Sequence, residues 1–228
     1  QECPDTPIVW GGVHPTLLPD QTIQHPLIDA VIKGEGELPC LGLAENLKKG
    51  NKDFSNIDGL YWKNKEQKVI VNKPCPGVPD LDEIDMRWDL VNPKNYIRDI
   101  DGKKWLGIIT SRGCPFRCGF CYNISFFGMR KFRGWSPKKS IEEIKKVLDW
   151  GVNFINFDDD YIFGDPLRMW GILDLKKQNN LDFEWKAPIR GHLLRDALTK
   201  RIKDGGCSSV TIGAESGSEE VLEYMTKD

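Results

Sequence analysis

The stretch Leu106-Gly-Ile-Ile-Thr-Ser-Arg-Gly-Cys-Pro-Phe-Arg-Cys-Gly-Phe-Cys-Tyr122 decides the reading of this chain. Its opening residues predict a strand over 106–110. The loop behind it carries Cys114, Cys118 and Cys121 in the spacing C-x3-C-x2-C. Thiolates are the usual ligands of iron–sulfur clusters, so this loop can hold three corners of a cube. No fourth cysteine lies nearby, which would leave one iron open to a small-molecule ligand. Arg112 and Arg117, with the backbone N–H groups of Gly113 and Gly119, can stabilise the negative thiolate–sulfide assembly. Structural zinc would need paired C-x2-C knuckles, and no second knuckle is present. His192 and Cys207 lack local metal-ligand spacing, and three unrelated core or surface cysteines are the remaining reading.

Downstream, strands and helices alternate. A helix is expected over Ser140–Trp150, with Ser140 and Glu143 as a capping box and Ile141, Ile144, Val147 and Leu148 on one face. A strand over Phe154–Phe157 ends at Asp158-Asp159-Asp160. A helix over 166–178, a strand over 183–189, a helix over 197–203 and a strand over 209–212 follow, and Gly213-Ala-Glu-Ser-Gly-Ser218 opens a last helix. Four βα units predict a parallel barrel whose post-strand loops carry the chemistry. Residues 105–228 are about half of the ~250 typical of a complete eight-fold barrel.

Upstream, Ile8–Val13 predicts a short buried strand running into Gly11 and Gly12. Residues 30–37 predict another strand and turn, and Pro39–Lys48 a helix. Leu60-Tyr-Trp and Val69-Ile-Val predict a β-hairpin. Pro74, Pro76 and Pro79, then the acidic run 80–85, read as a connector. The expected division is 1–50, a linker with the hairpin over 51–104, and 105–228.

Composition narrows the function. The 228 residues carry 32 basic and 34 acidic side chains, a formal charge of −2, so no positive field favours nucleic acid. A hydrophobic content of 39% supports a buried core and argues against wholesale disorder. No apolar run reaches the ~20 residues of a membrane-spanning helix. Seven cysteines, three of them clustered, point to a metal site in a reducing compartment, and the cytoplasm is expected. The chain opens at Gln1 without a signal sequence and reads as a piece of a longer protein.

Gly113-Cys-Pro-Phe-Arg-Cys-Gly-Phe-Cys121 resembles the C-x3-C-x-aromatic-C signature of the radical S-adenosylmethionine (SAM) superfamily, with Phe120 as the aromatic. The resemblance implies a [4Fe–4S] cluster on Cys114, Cys118 and Cys121, its open iron chelated by SAM's amino and carboxylate groups. It also implies reductive cleavage of SAM to a 5′-deoxyadenosyl radical, an electron donor such as flavodoxin or ferredoxin, and a small-molecule substrate. Asp158 and Asp159 would receive the SAM ammonium, to which carboxylates are suited; the other reading is a solvated acidic turn. Arg190 would pair with SAM's carboxylate or else form a surface ion pair. Glu215 resembles the acidic residue that holds the SAM ribose, since two acceptor oxygens suit a vicinal diol; otherwise it caps the following helix. No further catalytic residue is assigned.

Val9-Trp-Gly-Gly-Val-His-Pro-Thr16 and residues 30–37 resemble the closing part of the cobalamin-binding domain in B12-dependent radical SAM enzymes. The hairpin, the proline strip and Asp80-Leu-Asp-Glu-Ile84 resemble that group's linker. Gly11 and Gly12 match the glycine pair along the cobalamin nucleotide tail. The group's Asp-x-His-x-x-Gly loop is absent from this sequence, and His14 is not its histidine. The expected fold class is therefore α/β: the C-terminal portion of a Rossmann-like cobalamin-binding domain, then the first half of a radical SAM (β/α) barrel. The implied reaction is cobalamin-dependent methyl transfer to an unactivated carbon, with ring formation or other oxidation open to the same layout. One rival is a methylthiotransferase with a second cluster on Cys3, Cys40 and Cys75, although the sequence around Cys40 and Cys75 disagrees. A non-catalytic cluster-binding fragment is the other.

Overall fold

Short β-branched and aromatic runs set the strands of the N-terminal part. The computed structural model describes residues 6–123 and 132–227, which fall into two units dividing between Pro79 and Asp80. In the first unit the sheet order is β1 (Val9–Trp10), β2 (Ala30–Ile32), β3 (Leu60–Lys63) and β4 (Val69–Val71). β1 runs parallel to β2, and the other pairs are antiparallel. Helices α1 (Val13–Leu17) and α2 (Pro19–Ile23) connect β1 to β2, and α3 (Glu37–Lys48) follows β2. Leu43 of α3 packs with Ala30, Ile32, Leu60 and Trp62, each side chain of this size contributing about 1.5–3 kcal/mol when buried. The hairpin expected in a linker extends this sheet, because Leu60 and Trp62 alternate inward and complete its core. The strand expected to be buried, β1, is instead exposed at the sheet edge, Trp10 by 47%.

The second unit holds β5 (Arg98–Ile100), β6 (Lys103–Ile108), the two-residue pair β7 (Ser111–Arg112) and β8 (Arg133–Gly134), then α4 (Pro137–Leu148) and β9 (Phe154–Phe157). α5 (Pro166–Gln178), β10 (Glu184–Pro188), α6 (Asp196–Asp204), β11 (Cys207–Thr211) and α7 (Glu219–Tyr224) complete it. The main sheet has the order β5-β6-β9-β10-β11; β6, β9, β10 and β11 are parallel, as expected for the first half of a (β/α) barrel. β5 joins antiparallel to β6 through Asp101 and Gly102, both at positive φ.

Alternation along the parallel strands gives the sheet two faces. Leu106, Ile108, Ile155, Phe157, Trp185 and Ala187 turn toward the helices and pack with Ile141, Ile144, Val147, Met169 and Ile172. On the opposite face Trp105 stacks on Phe154 with ring centroids 3.6 Å apart, and Lys186 lies over the Trp105 ring. The capping box expected at Ser140 is replaced by one turn earlier: Ser136 caps α4, its Oγ accepting from Lys139 N at 3.1 Å, with Pro137 behind it. Ser140 lies inside the helix, its Oγ bonded back to Ser136 O.

Candidate functional site

Ile108 pairs with Phe157, so β6 and β9 end side by side and their following loops leave from one edge of the sheet. The cysteine loop begins there. Cys114, Cys118 and Cys121 are free of disulfides and half-buried. A turn closes from Cys121 N to Cys118 O at 3.0 Å. Burial pushes the Cys114 thiol up; a hydrogen bond from the Phe116 backbone opposes this, and the neighbouring cysteines add to the rise. Among the described residues no three His, Cys, Asp or Glu side chains converge on a single metal ion. A cube makes a different demand, with thiolates binding separate corners.

Groups from the other strand ends reach this loop. After β9, Asp160 Oδ2 accepts from Gly113 N at 2.9 Å, beside Cys114. After β10, Arg190 donates from Nη1 to Cys118 Sγ at 3.3 Å, and its guanidinium lies 3.9 Å from the Phe116 ring centroid. Phe116 also meets Tyr161 and His192 edge-on, at 5.1 and 6.1 Å. Burial, with the Cys114 charge adding, pushes the Tyr161 hydroxyl up to about 12. Beyond β11, Glu215 pairs with Lys227 at 2.8 Å, and Lys227 Nζ stands 5.5 Å from the Phe120 ring centroid. Met225 O accepts from Gly119 N at 2.8 Å. Three thiols on one loop, with a cationic N–H already directed at one sulfur, form a donor set that suits an iron–sulfur cube.

The three aspartates after β9 separate by alternation. Asp159 continues the line of Ile155 and Phe157 and is only 3% exposed. Its Oδ1 accepts from Thr110 N at 3.1 Å, from Thr110 Oγ1 at 3.0 Å, and from Ser111 Oγ. Arg168 of α5 donates to Thr110 O at 2.8 Å, Thr110 Oγ1 at 2.7 Å and Trp135 O at 2.6 Å. Burial pushes the Asp159 carboxyl up, with the Ser111 hydrogen bond and the Arg168 charge opposing. Asp159 is therefore placed as a brace beneath the loop, not as an exposed ammonium acceptor. Asp158 turns the other way, over Gly107, where a Cβ would collide with its carboxylate. Burial also raises Asp158, opposed by the charges of Lys186 and Arg98. Asp160 and Lys227 were not singled out in the sequence. Asp160 had a legible signal in its alternation with Asp159, whereas Lys227 is brought in by tertiary folding alone.

In the first unit, Gly11 and Gly12 sit between β1 and α1. A Cβ on Gly11 would make an ordinary 3.6 Å contact with Ile32. Gly12 has φ of 102°, and a Cβ there would meet nothing within 4 Å, so its backbone is open to a ligand. Cys40 is exposed and Cys75 half-buried in this unit, while Cys3 lies outside the described residues.

The chain is 37% identical over 223 residues to an uncharacterized methyltransferase of Pyrococcus horikoshii, covering 96% of this chain and 48% of that protein. It is 35% identical over 231 residues to the anaerobic magnesium-protoporphyrin IX monomethyl ester cyclase of a Synechocystis species, covering 100% of this chain and 45% of the relative. It thus spans about half the length of these curated relatives. The structure of the radical SAM methyltransferase TsrM from Kitasatospora setae, with cobalamin and a [4Fe–4S] cluster bound, superposes with a TM-score of 0.75 at 18% identity, covering 96% of this chain and 44% of that one. At that identity the likeness speaks to the fold. The radical SAM superfamily model matches residues 108–228, from the end of β6 through the cysteine loop and all the strand ends that converge on it; the chain belongs to the radical SAM superfamily.

Proposed function

We propose that the protein carrying this chain binds a [4Fe–4S] cluster through Cys114, Cys118 and Cys121 and transfers a methyl group to an unactivated carbon of a small molecule with the help of cobalamin. The observation that carries this reading is the meeting of three post-strand groups at the cysteine loop: Asp160 on Gly113, Arg190 on Cys118, and Glu215 through Lys227 beside Phe120. When bound, the cluster with SAM supplies a radical and cobalamin a methyl carrier; the protein contributes binding and orientation.

In this reading, Asp158 and Asp160 offer carboxylates to the SAM ammonium. Arg190, with five donors on one guanidinium, serves both Cys118 and the SAM carboxylate. Glu215 exchanges Lys227 for the ribose hydroxyls. Asp159 keeps its place under the loop and takes no part in binding. An electron donor of the flavodoxin or ferredoxin class is the proposed partner. For cobalamin, support comes from the open backbone at Gly12 and from the fold shared with cobalamin-bound TsrM. Among the described residues no helix is long and apolar enough to cross a membrane.

Ring formation is the second reading, favoured by the 35% identity to a cyclase. Anaerobic turnover of the full-length protein with methyl-labelled SAM separates the two. Label carried into a product carbon supports methyl transfer; a ring-closed product without label supports the cyclase reading and contradicts the first.

A further inference from the structure

We infer that Arg190 sets the reduction potential of the cluster through its hydrogen bond to Cys118, an inference that rests on the cluster reading above. The contact is built rather than incidental. Arg190 is 9% exposed, and its guanidinium is held 3.9 Å from the Phe116 ring while Nη1 stands 3.3 Å from Cys118 Sγ. Tyr161 and His192 meet Phe116 edge-on, so that ring has little freedom to release the guanidinium. Cys118 thus receives a charged donor from a residue 72 positions further along the chain.

Reduction adds one electron to the cube and so increases negative charge on the ligand sulfurs. An N–H donor and a full positive charge both stabilise that reduced form more than the oxidised one, and a poorly solvated site strengthens the effect. Arginine does not lose its proton in proteins, so the electron is taken up without a coupled proton from this residue. Arg190 is thus a positioning and tuning residue, distinct in this role from any contact it makes with SAM.

The test uses the full-length protein, reconstituted anaerobically and titrated first without SAM and then with it, as wild type, Arg190→Gln and Arg190→Met. Iron content is measured first, and the reduced cluster is then followed by electron paramagnetic resonance during a redox titration with dithionite. The expected result is equal iron in all three and a lower midpoint in both variants. In Arg190→Met the reduced-to-oxidised ratio at fixed potential falls about tenfold, which for a one-electron couple is ~59 mV. Arg190→Gln, which keeps an N–H but no charge, falls between. Equal midpoints at equal iron content would overturn the inference, as would a shift seen only when SAM is added. Loss of iron from both variants would make Arg190 a structural prop instead. A wild-type protein that takes up no iron would overturn the cluster reading itself, a separate result.

Discussion

Glu215 accepts a 2.8 Å hydrogen bond from Lys227, twelve residues further along the chain, and the same ammonium faces the ring of Phe120 between two of the cysteines. The residue proposed for the ribose is thereby tied to the cysteine loop. Glu215→Ala is expected to weaken SAM binding about tenfold or more, since a hydrogen bond to a charged group contributes ~1.5–3 kcal/mol. Iron content should stay the same. Lys227→Met should change affinity less, because partly exposed ion pairs contribute little. Calorimetric titration with SAM measures both; unchanged affinity in Glu215→Ala removes that residue from the site.

The brace beneath the loop should matter for stability. Asp159 and Arg168 both bond Thr110, and both are nearly fully buried. Asp159→Ala or Arg168→Leu leaves the other buried charge without its compensation, and a loss of about 3 kcal/mol or more is expected. Arg87 and Asp89, both more than half exposed, serve as the contrast: their removal should leave stability nearly unchanged. Urea denaturation followed by circular dichroism decides it. Equal small effects at both pairs would contradict the brace.

A pH dependence follows from the same carboxylate. Burial raises the Asp159 carboxyl, so the folded chain binds its proton at higher pH than the unfolded chain does. The stability linked to that proton is fully present below the unfolded aspartate value of ~3.9 and is lost as pH rises through the raised folded value. The unfolding free energy should therefore carry a downward contribution with rising pH in that window. Asp159→Asn should flatten it. Urea midpoints compared from about pH 4 to about pH 7 test the sign; an unchanged slope in Asp159→Asn would refute it.

Gly12 offers a test of the first unit. A side chain there must adopt φ of 102°, a region disfavoured for residues with a Cβ, and would stand in the open space proposed for cobalamin. Gly12→Val is expected to lower cobalamin loading, read from the corrinoid absorbance after reconstitution, while the iron content holds. Full loading of the variant would count against a cobalamin contact at this turn.

Much of the second unit was legible because its pattern repeats: Ile141, Ile144 and Val147 at helical spacing, Phe154 to Phe157 as a compact run, and cysteines directly behind a strand. The helix start expected at Ser140 falls one turn too late: Pro137, a favoured first helical residue, is the signal that marks Ser136 as the cap. β5 was hidden by its charged residues, although Asp101-Gly102 is a strong hairpin turn. Three identical aspartates gave no direct basis for choosing among them. Only the phase set by Ile155 and Phe157 sends Asp159 inward and leaves Asp158 and Asp160 on the other side. The bond from Arg190 to Cys118 joins residues 72 positions apart and has no local signature at all.

Iron content after anaerobic reconstitution reads out whether Cys114, Cys118 and Cys121 hold a cluster. The full-length protein should gain about four irons from this site, the content of one [4Fe–4S] cube. A variant with Cys114, Cys118 and Cys121 all changed to alanine should lose those irons, together with the ability to cleave SAM under reducing conditions. Retention of that iron by the triple variant, or a wild-type protein that binds none, would rule out a cluster on these three cysteines.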